Sequence, residues 1–255
     1  MSFCEGCIDL KELPGKEQGS TQQINGVTTY VSKGSRKGNV VVATDIYGLG
    51  IPNPKIVADI IANESGLNVY IPDIFPNGPI KPDDFQLPNK ASSGPPSEER
   101  MGKNFENFMA WMGKGHGPDK TYPIFKKVID EVSKEGPTGA IGYCYGAKLA
   151  VIAAQEGAVK GIALYHPSLL EASDAEKIQT KTLLNEAELD PLFGELKDTF
   201  EKTLKSRNLL DSRTKQYPNT VHGFGCRPDL EDAKVKAGWE ESVSTTGKFF
   251  QETLA

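Results

Sequence analysis

Three side chains capable of acyl transfer stand at separate points of the chain: Cys144, Asp190 and His222, spaced 46 and 32 positions apart. Cys144 lies in Gly142-Tyr143-Cys144-Tyr145-Gly146. This is the G-x-C-x-G form of the strand–turn–helix in which a nucleophile sits at a sharp apex, with Cys in place of Ser. The helix that starts at Tyr145 would aim unpaired N–H groups and a positive dipole end at the sulfur, which stabilises negative charge there. The Tyr145 amide could also bind an oxyanion. A histidine can move protons for such a nucleophile, and a carboxylate can orient the histidine. The chain order nucleophile, acid, base is the α/β-hydrolase order and differs from that of other triad folds.

The elements needed to hold these groups are legible on either side. Asn39–Thr44 is a continuous β-branched run of the kind found in buried strands. A helical pattern from Pro54 to Ala62, closed by Gly66, leads to a second apolar strand at 67–71. Strand, helix, strand implies a right-handed parallel crossover. Later strands at 161–165, 182–189 and 214–218 each run into polar residues, so function-bearing side chains collect at the carboxyl ends of strands. Val27–Val31 reads as a further strand, and helices are expected at 98–112, 122–132, 193–207 and 231–253. Val235, Trp239, Val243, Phe249 and Phe250 form the buried stripe of the last. The stretch 76–97 contains six prolines and no steady period, so it is expected as a long loop forming a wall of the cleft. His116, inside a Gly/Pro-rich turn, is expected at the surface.

Composition narrows the classes. The chain has 255 residues, 38% of them hydrophobic, a formal charge of −5 and four cysteines. One domain over 1–255 is expected, with 1–25 as an N-terminal extension laid over it. Scattered Lys and Arg leave no footprint for nucleic acid. No stretch reads as a membrane span or export signal, so the chain is expected to be cytoplasmic with reduced thiols. Cys4-Glu5-Gly6-Cys7 is a lone C-x-x-C, two ligands short of a zinc site. No metal or organic cofactor is expected.

The segments TDIYG (44–48), GYCYGAK (142–148), YHPS (165–168), EAELDPLF (186–193) and VHGFGCR (221–227) resemble the dienelactone hydrolase (carboxymethylenebutenolidase-like) family, in particular its eukaryotic branch. The resemblance implies an α/β-hydrolase fold with a mostly parallel central sheet of about eight strands and helices on both faces. It implies a Cys144–His222–Asp190 triad, an oxyanion hole from the amides of Tyr145 and Ile46, and a small ester or lactone substrate for a monomer or homodimer. Substrate-facing side chains are expected among Asp45, Tyr47, His166, Phe224 and Arg227. Asp45 stands where the family usually has the longer Glu. Arg227 follows His222 through two glycines and could return to the cleft to grip a carboxylate; the alternative is a surface pair with Asp229 or Glu231. Two other readings of the chain remain: a non-catalytic binder of small molecules on the same fold, and a thiol-redox protein using Cys144 with Cys226.

Overall fold

The β-branched run Asn39–Ala43 lies at the centre of an eight-stranded sheet in a computed structural model that describes residues 12–255. In chain order the elements are β1 (Ser20–Ile24), β2 (Val27–Ser32), β3 (Asn39–Ala43), α1 (Asn53–Ser65), β4 (Asn68–Pro72), α2 (Glu98–Trp111), α3 (Pro118–Val132) and β5 (Thr138–Tyr143). Then follow α4 (Tyr145–Gln155), β6 (Gly161–Tyr165), α5 (Ala172–Lys177), β7 (Lys181–Leu189), α6 (Gly194–Ser206), β8 (Lys215–Val221) and α7 (Ala233–Thr253). The strand order is β1-β2-β4-β3-β5-β6-β7-β8, with β4 through β8 parallel and β1 and β2 antiparallel at one edge. Every residue of β3, β5 and β6 is buried, as expected when helices cover both faces of a parallel sheet. Ile61 of α1 and Phe250 of α7 belong to the core on one face, and Phe125 of α3 and Leu149 of α4 to that on the other. No helix among the described residues is long and apolar enough to cross a membrane.

The topology creates the cleft. From β3 the chain moves to β4 on one side and then crosses back to β5 on the other. The carboxyl ends of β3 and β5 therefore open a crevice where the winding reverses, the place ligands occupy in open α/β sheets. Ala43 pairs with Gly142, which sets the loop at 44–48 against the turn that carries Cys144.

Two expectations need correction. Residues 20–24, assigned to an N-terminal extension, form the edge strand β1, hairpinned to β2 through Asn25-Gly26 with φ of 49° and 76°. Its four leading residues are polar and exposed, so no hydrophobic alternation marks it. The Asn-Gly dipeptide was the signal, since both positions of such a turn need positive φ. His116 is not at the surface: it is 1% exposed, and its ring stacks on Trp111 with centroids 4.4 Å apart. Its Nδ1 lies 2.7 Å from the Trp111 carbonyl oxygen, closing the turn between α2 and α3. Cys4 and Cys7 lie outside the described residues.

The elbow depends on two close approaches. A Cβ on Gly146 would lie 2.1 Å from the Ala43 carbonyl oxygen, and one on Gly142 would lie 2.5 Å from the Ala147 Cα. Both obstacles are backbone, which cannot step aside as a flexible side chain could. Gly146→Ala is therefore expected to cost about 3 kcal/mol of stability or more through overpacking, read as a lowered urea midpoint with unchanged slope.

Candidate active site

Cys144 occupies the apex between β5 and α4 with φ 49° and ψ −113°. A non-glycine residue at positive φ is strained and persists only where its surroundings enforce it. Here the Cys144 N–H donates to the Tyr165 carbonyl at 3.1 Å, and the Ala147 and Ser168 amides donate to the Cys144 carbonyl at 3.1 and 3.2 Å. Cys144 is 6% exposed and stands at the positive end of α4. Ser168 Oγ lies 3.5 Å from it. Sequence reading assigned Ser168 no role; its place on the YHPS turn after β6 was the available signal. Ser168→Ala is expected to slow acylation up to about tenfold, the low end for one hydrogen bond to a charged group, measured by pre-steady-state ester cleavage.

The acid and base come from neighbouring strand ends. Asp190 follows β7 and His222 follows β8, and His222 Nδ1 is 2.8 Å from Asp190 Oδ1. A bulge makes this possible. Ala187 pairs with Tyr217 but Leu189 with Val221, so β8 spends extra residues around Pro218 and Asn219. Proline fits there because it has no N–H for the ladder. The shift lets the His222 N–H reach the Leu189 carbonyl at 3.3 Å and sets the two side chains abreast. Glu186 and Glu188, the other carboxylates of β7, are engaged elsewhere: Glu186 with Lys197 at 3.2 Å, Glu188 as acceptor from the Asn219 N–H at 2.7 Å.

Burial opposes charge on His222, but Asp190 and a Cys144 thiolate outweigh it and push its pKa up to about 10. Among the described residues His222 Nε2 makes no well-formed hydrogen bond, although Cys144 is near enough to act on its charge. Nε2 is the ring atom left for Sγ or substrate once Nδ1 is committed to Asp190, and such contacts commonly tighten only with substrate bound.

The loop after β3 is held from several sides. Asp45 is 1% exposed and accepts from the Tyr47 N–H at 3.0 Å. The Ile80 amide donates to the Ile46 carbonyl at 3.0 Å, and the Tyr47 hydroxyl donates to the Phe85 carbonyl at 2.6 Å. Tyr145, first residue of α4, has its amide outside the helical ladder, and its hydroxyl donates to the His116 carbonyl at 2.5 Å. The amides of Ile46 and Tyr145 thus belong to anchored segments on either side of the crevice.

Arg227 returns toward the crevice, but neither to solvent nor to Asp229 or Glu231. Its guanidinium is ion-paired with Asp45 and lies over the Tyr47 ring, 4.6 Å from the centroid. Its side chain is 11% exposed. Breaking a buried pair from one side strands the other charge. Arg227→Ala is expected to cost about 3 kcal/mol, with Asp45→Asn recovering part of the loss in the double variant, read by urea denaturation. Strict additivity would show that the two charges do not support each other.

His166 and Phe224, expected to face substrate, are instead fully buried. Their ring centroids are 5.9 Å apart, and Phe224 also packs on Tyr165 and Tyr217. Phe224 belongs to the core cluster that also holds Tyr165 and Tyr217, and the His166 ring packs between it and His222. His166 sits 4.9 Å from the His222 ring, and burial, reinforced by charge on His222 and Arg227, holds it well below the ordinary histidine range. It is a neutral backing for the base. Cys226 is a fully buried free thiol whose pKa burial raises well above the ordinary value, an environment that suppresses redox chemistry.

Two apolar cavities adjoin these groups. One of about 220 Å³ reaches Cys144 and Ile46, and the other, of about 420 Å³, reaches His222 and Asp190.

Comparison with known proteins agrees with this architecture. The chain is 26% identical to the hydrolase pyvD of Aspergillus violaceofuscus, covering 97% of this chain and 96% of that protein. It is 25% identical to a carboxymethylenebutenolidase homolog of Xenopus tropicalis, covering 81% and 79%. A putative dienelactone hydrolase of Klebsiella pneumoniae superposes with a TM-score of 0.64 at 14% identity, over 89% of this chain and 96% of that one. Residues 26–254 match the model of the dienelactone hydrolase family, and the chain belongs to that family of carboxylic ester and lactone hydrolases.

Proposed function

We propose that the protein cleaves a small ester or lactone through Cys144, His222 and Asp190, by way of an acyl-thioester. The observation that carries this is the Asp190–His222 hydrogen bond beside a cysteine held at positive φ on a strand–helix elbow. The raised pKa of His222 suits a thiolate–imidazolium pair. The thiolate attacks the carbonyl carbon, and the amides of Ile46 and Tyr145 bind the oxyanion. As the C–O bond breaks, His222 Nε2–H protonates the leaving alkoxide. Neutral His222 then takes a proton from water as its oxygen attacks the thioester; collapse expels the Cys144 thiolate, the acid departs, and the imidazolium is restored. Asp190 holds the ring and its tautomer throughout. Every bond change is made by protein groups and water, so the cycle calls for no cofactor. The same reading takes the protein as a cytoplasmic monomer or homodimer.

The test combines a broad ester and lactone screen with iodoacetamide labelling. Saturable turnover, lost on alkylation of Cys144 and protected by substrate, is the expected result. Labelling without turnover would instead leave a binding protein, and a reducible Cys144–Cys226 linkage would leave a redox protein.

A further inference from the structure

The two cavities touch different reacting atoms. The 220 Å³ cavity is walled by Phe85, Met101, Phe108 and Leu192 and shares Cys144 and Ile46 with the nucleophile and the oxyanion loop. The 420 Å³ cavity is walled by Leu87, Pro96, Leu189 and Val221 and shares His222 with the proton relay. Acyl transfer assigns opposite fates to the two halves of an ester. The acyl half stays bonded to sulfur with its oxygen at the oxyanion amides, while the leaving oxygen must lie within reach of the His222 proton. The cavity that shares Cys144 and Ile46 therefore fits the half that stays, and the one that shares His222 fits the half that leaves.

The walls also specify charge. Among the described residues neither cavity is lined by lysine or arginine, and the second carries Glu188 and Asp190. Asn104, the amide in the first wall, already donates to the Gln86 carbonyl at 2.6 Å and accepts from the Gln86 N–H at 3.0 Å. Arg227, the cation closest in sequence to His222, is committed to Asp45. A carboxylate at the end of the acyl chain would enter the first cavity, whose described walls are largely apolar and offer no cation, a costly transfer. The apolar surface extends outward instead: Phe105 is 64% exposed at the rim of the first cavity, and Leu169 and Leu192 are each 37% exposed.

We infer that the substrates are neutral esters with an aliphatic acyl chain in the cavity at Cys144 and a bulkier alcohol in the cavity at His222. This rests on the hydrolase reading above and adds the substrate class. At about 30 Å³ for each water-sized group, the acyl cavity takes on the order of seven non-hydrogen groups and the alcohol cavity about twice as many.

The experiment uses two ester series on the full-length protein. With one small alcohol held constant, kcat/KM is expected to rise roughly threefold to fourfold per methylene of acyl chain, the increment for burying one such group. It should level off near seven carbons. A matched acyl chain ending in a carboxylate is expected to fall by about 100-fold or more. With a butyryl group held constant, bulky alcohols are expected to outperform methanol. Met101→Trp, which fills the acyl cavity, is expected to cut the octanoyl-to-acetyl ratio about tenfold or more. Ala91→Trp, beside the alcohol cavity, is expected to cut the bulky-to-methyl alcohol ratio and leave the acyl ratio in place. Ester turnover that ignores acyl length, prefers the carboxylate, or shifts the same ratio in both variants overturns the assignment while keeping the hydrolase. Absence of all ester turnover removes the hydrolase reading. The cavity assignment is then decided by calorimetry with aliphatic methyl ketones: affinity that grows with chain length and is lost in Met101→Trp retains it, and flat or absent binding overturns it.

Discussion

Cys144→Ala is expected to reduce ester turnover by about 10⁴-fold or more while leaving the protein folded, since loss of the nucleophile typically removes most of a triad's rate enhancement. The residual rate would come from the oxyanion amides and from binding, which the substitution leaves in place. The fold should survive because the elbow is held by backbone groups, namely the Cys144 amide on Tyr165 and the Cys144 carbonyl under Ala147 and Ser168. Alanine keeps a Cβ at that positive φ, so the strain is the same in both proteins. Turnover assays and a urea melt on one preparation check both halves. Wild-type turnover in the variant would remove Cys144 from the chemistry altogether.

The second large effect is expected at the base and its orienter. His222→Ala should cost a factor comparable with Cys144→Ala, because protonation of the leaving group and activation of water both pass through Nε2. Asp190→Asn should cost ~10³–10⁴ in kcat, by analogy with other triads whose histidine is left in the wrong tautomer. It also removes the leading contribution that overcomes burial at His222, so the imidazole pKa should fall in the variant, as NMR titration can show. The sign follows from the raised folded value. Protonated His222 contributes stability that is fully present below the ordinary histidine value of about 6.5 and is lost as pH climbs through about 10. Asp190→Asn should therefore flatten the pH dependence of stability across that window. An unchanged rate and titration would point to a different carboxylate, yet Glu186 and Glu188 are turned toward Lys197 and the Asn219 amide.

What could be read from the chain alone was local. The elbow announced itself because two glycines four positions apart answer to backbone approaches that tolerate no side chain, and the parallel strands announced themselves by short runs, one of them continuously β-branched, between helical periods. Those runs also placed Cys144, Asp190 and His222 at strand ends. The polar edge strand β1 escaped because a strand exposed on both faces carries no apolar alternation, although Asn25-Gly26 marked its turn. His116 escaped because turn residues are usually exposed, whereas this one stacks on Trp111 from a neighbouring turn. Partnership was decided only in three dimensions. Asp45 and Arg227 lie 182 positions apart and neutralise each other, so a cation that local spacing offered to substrate is already taken. The extra residues in β8 put His222 beside Asp190 through a register shift that no periodicity encodes. The cavities at Cys144 and His222 draw their walls from α2, the loop at 76–97 and the ends of β7 and β8. Apolar residue types are a property of the chain; enclosure of a substrate-sized space comes from packing among segments far apart in it.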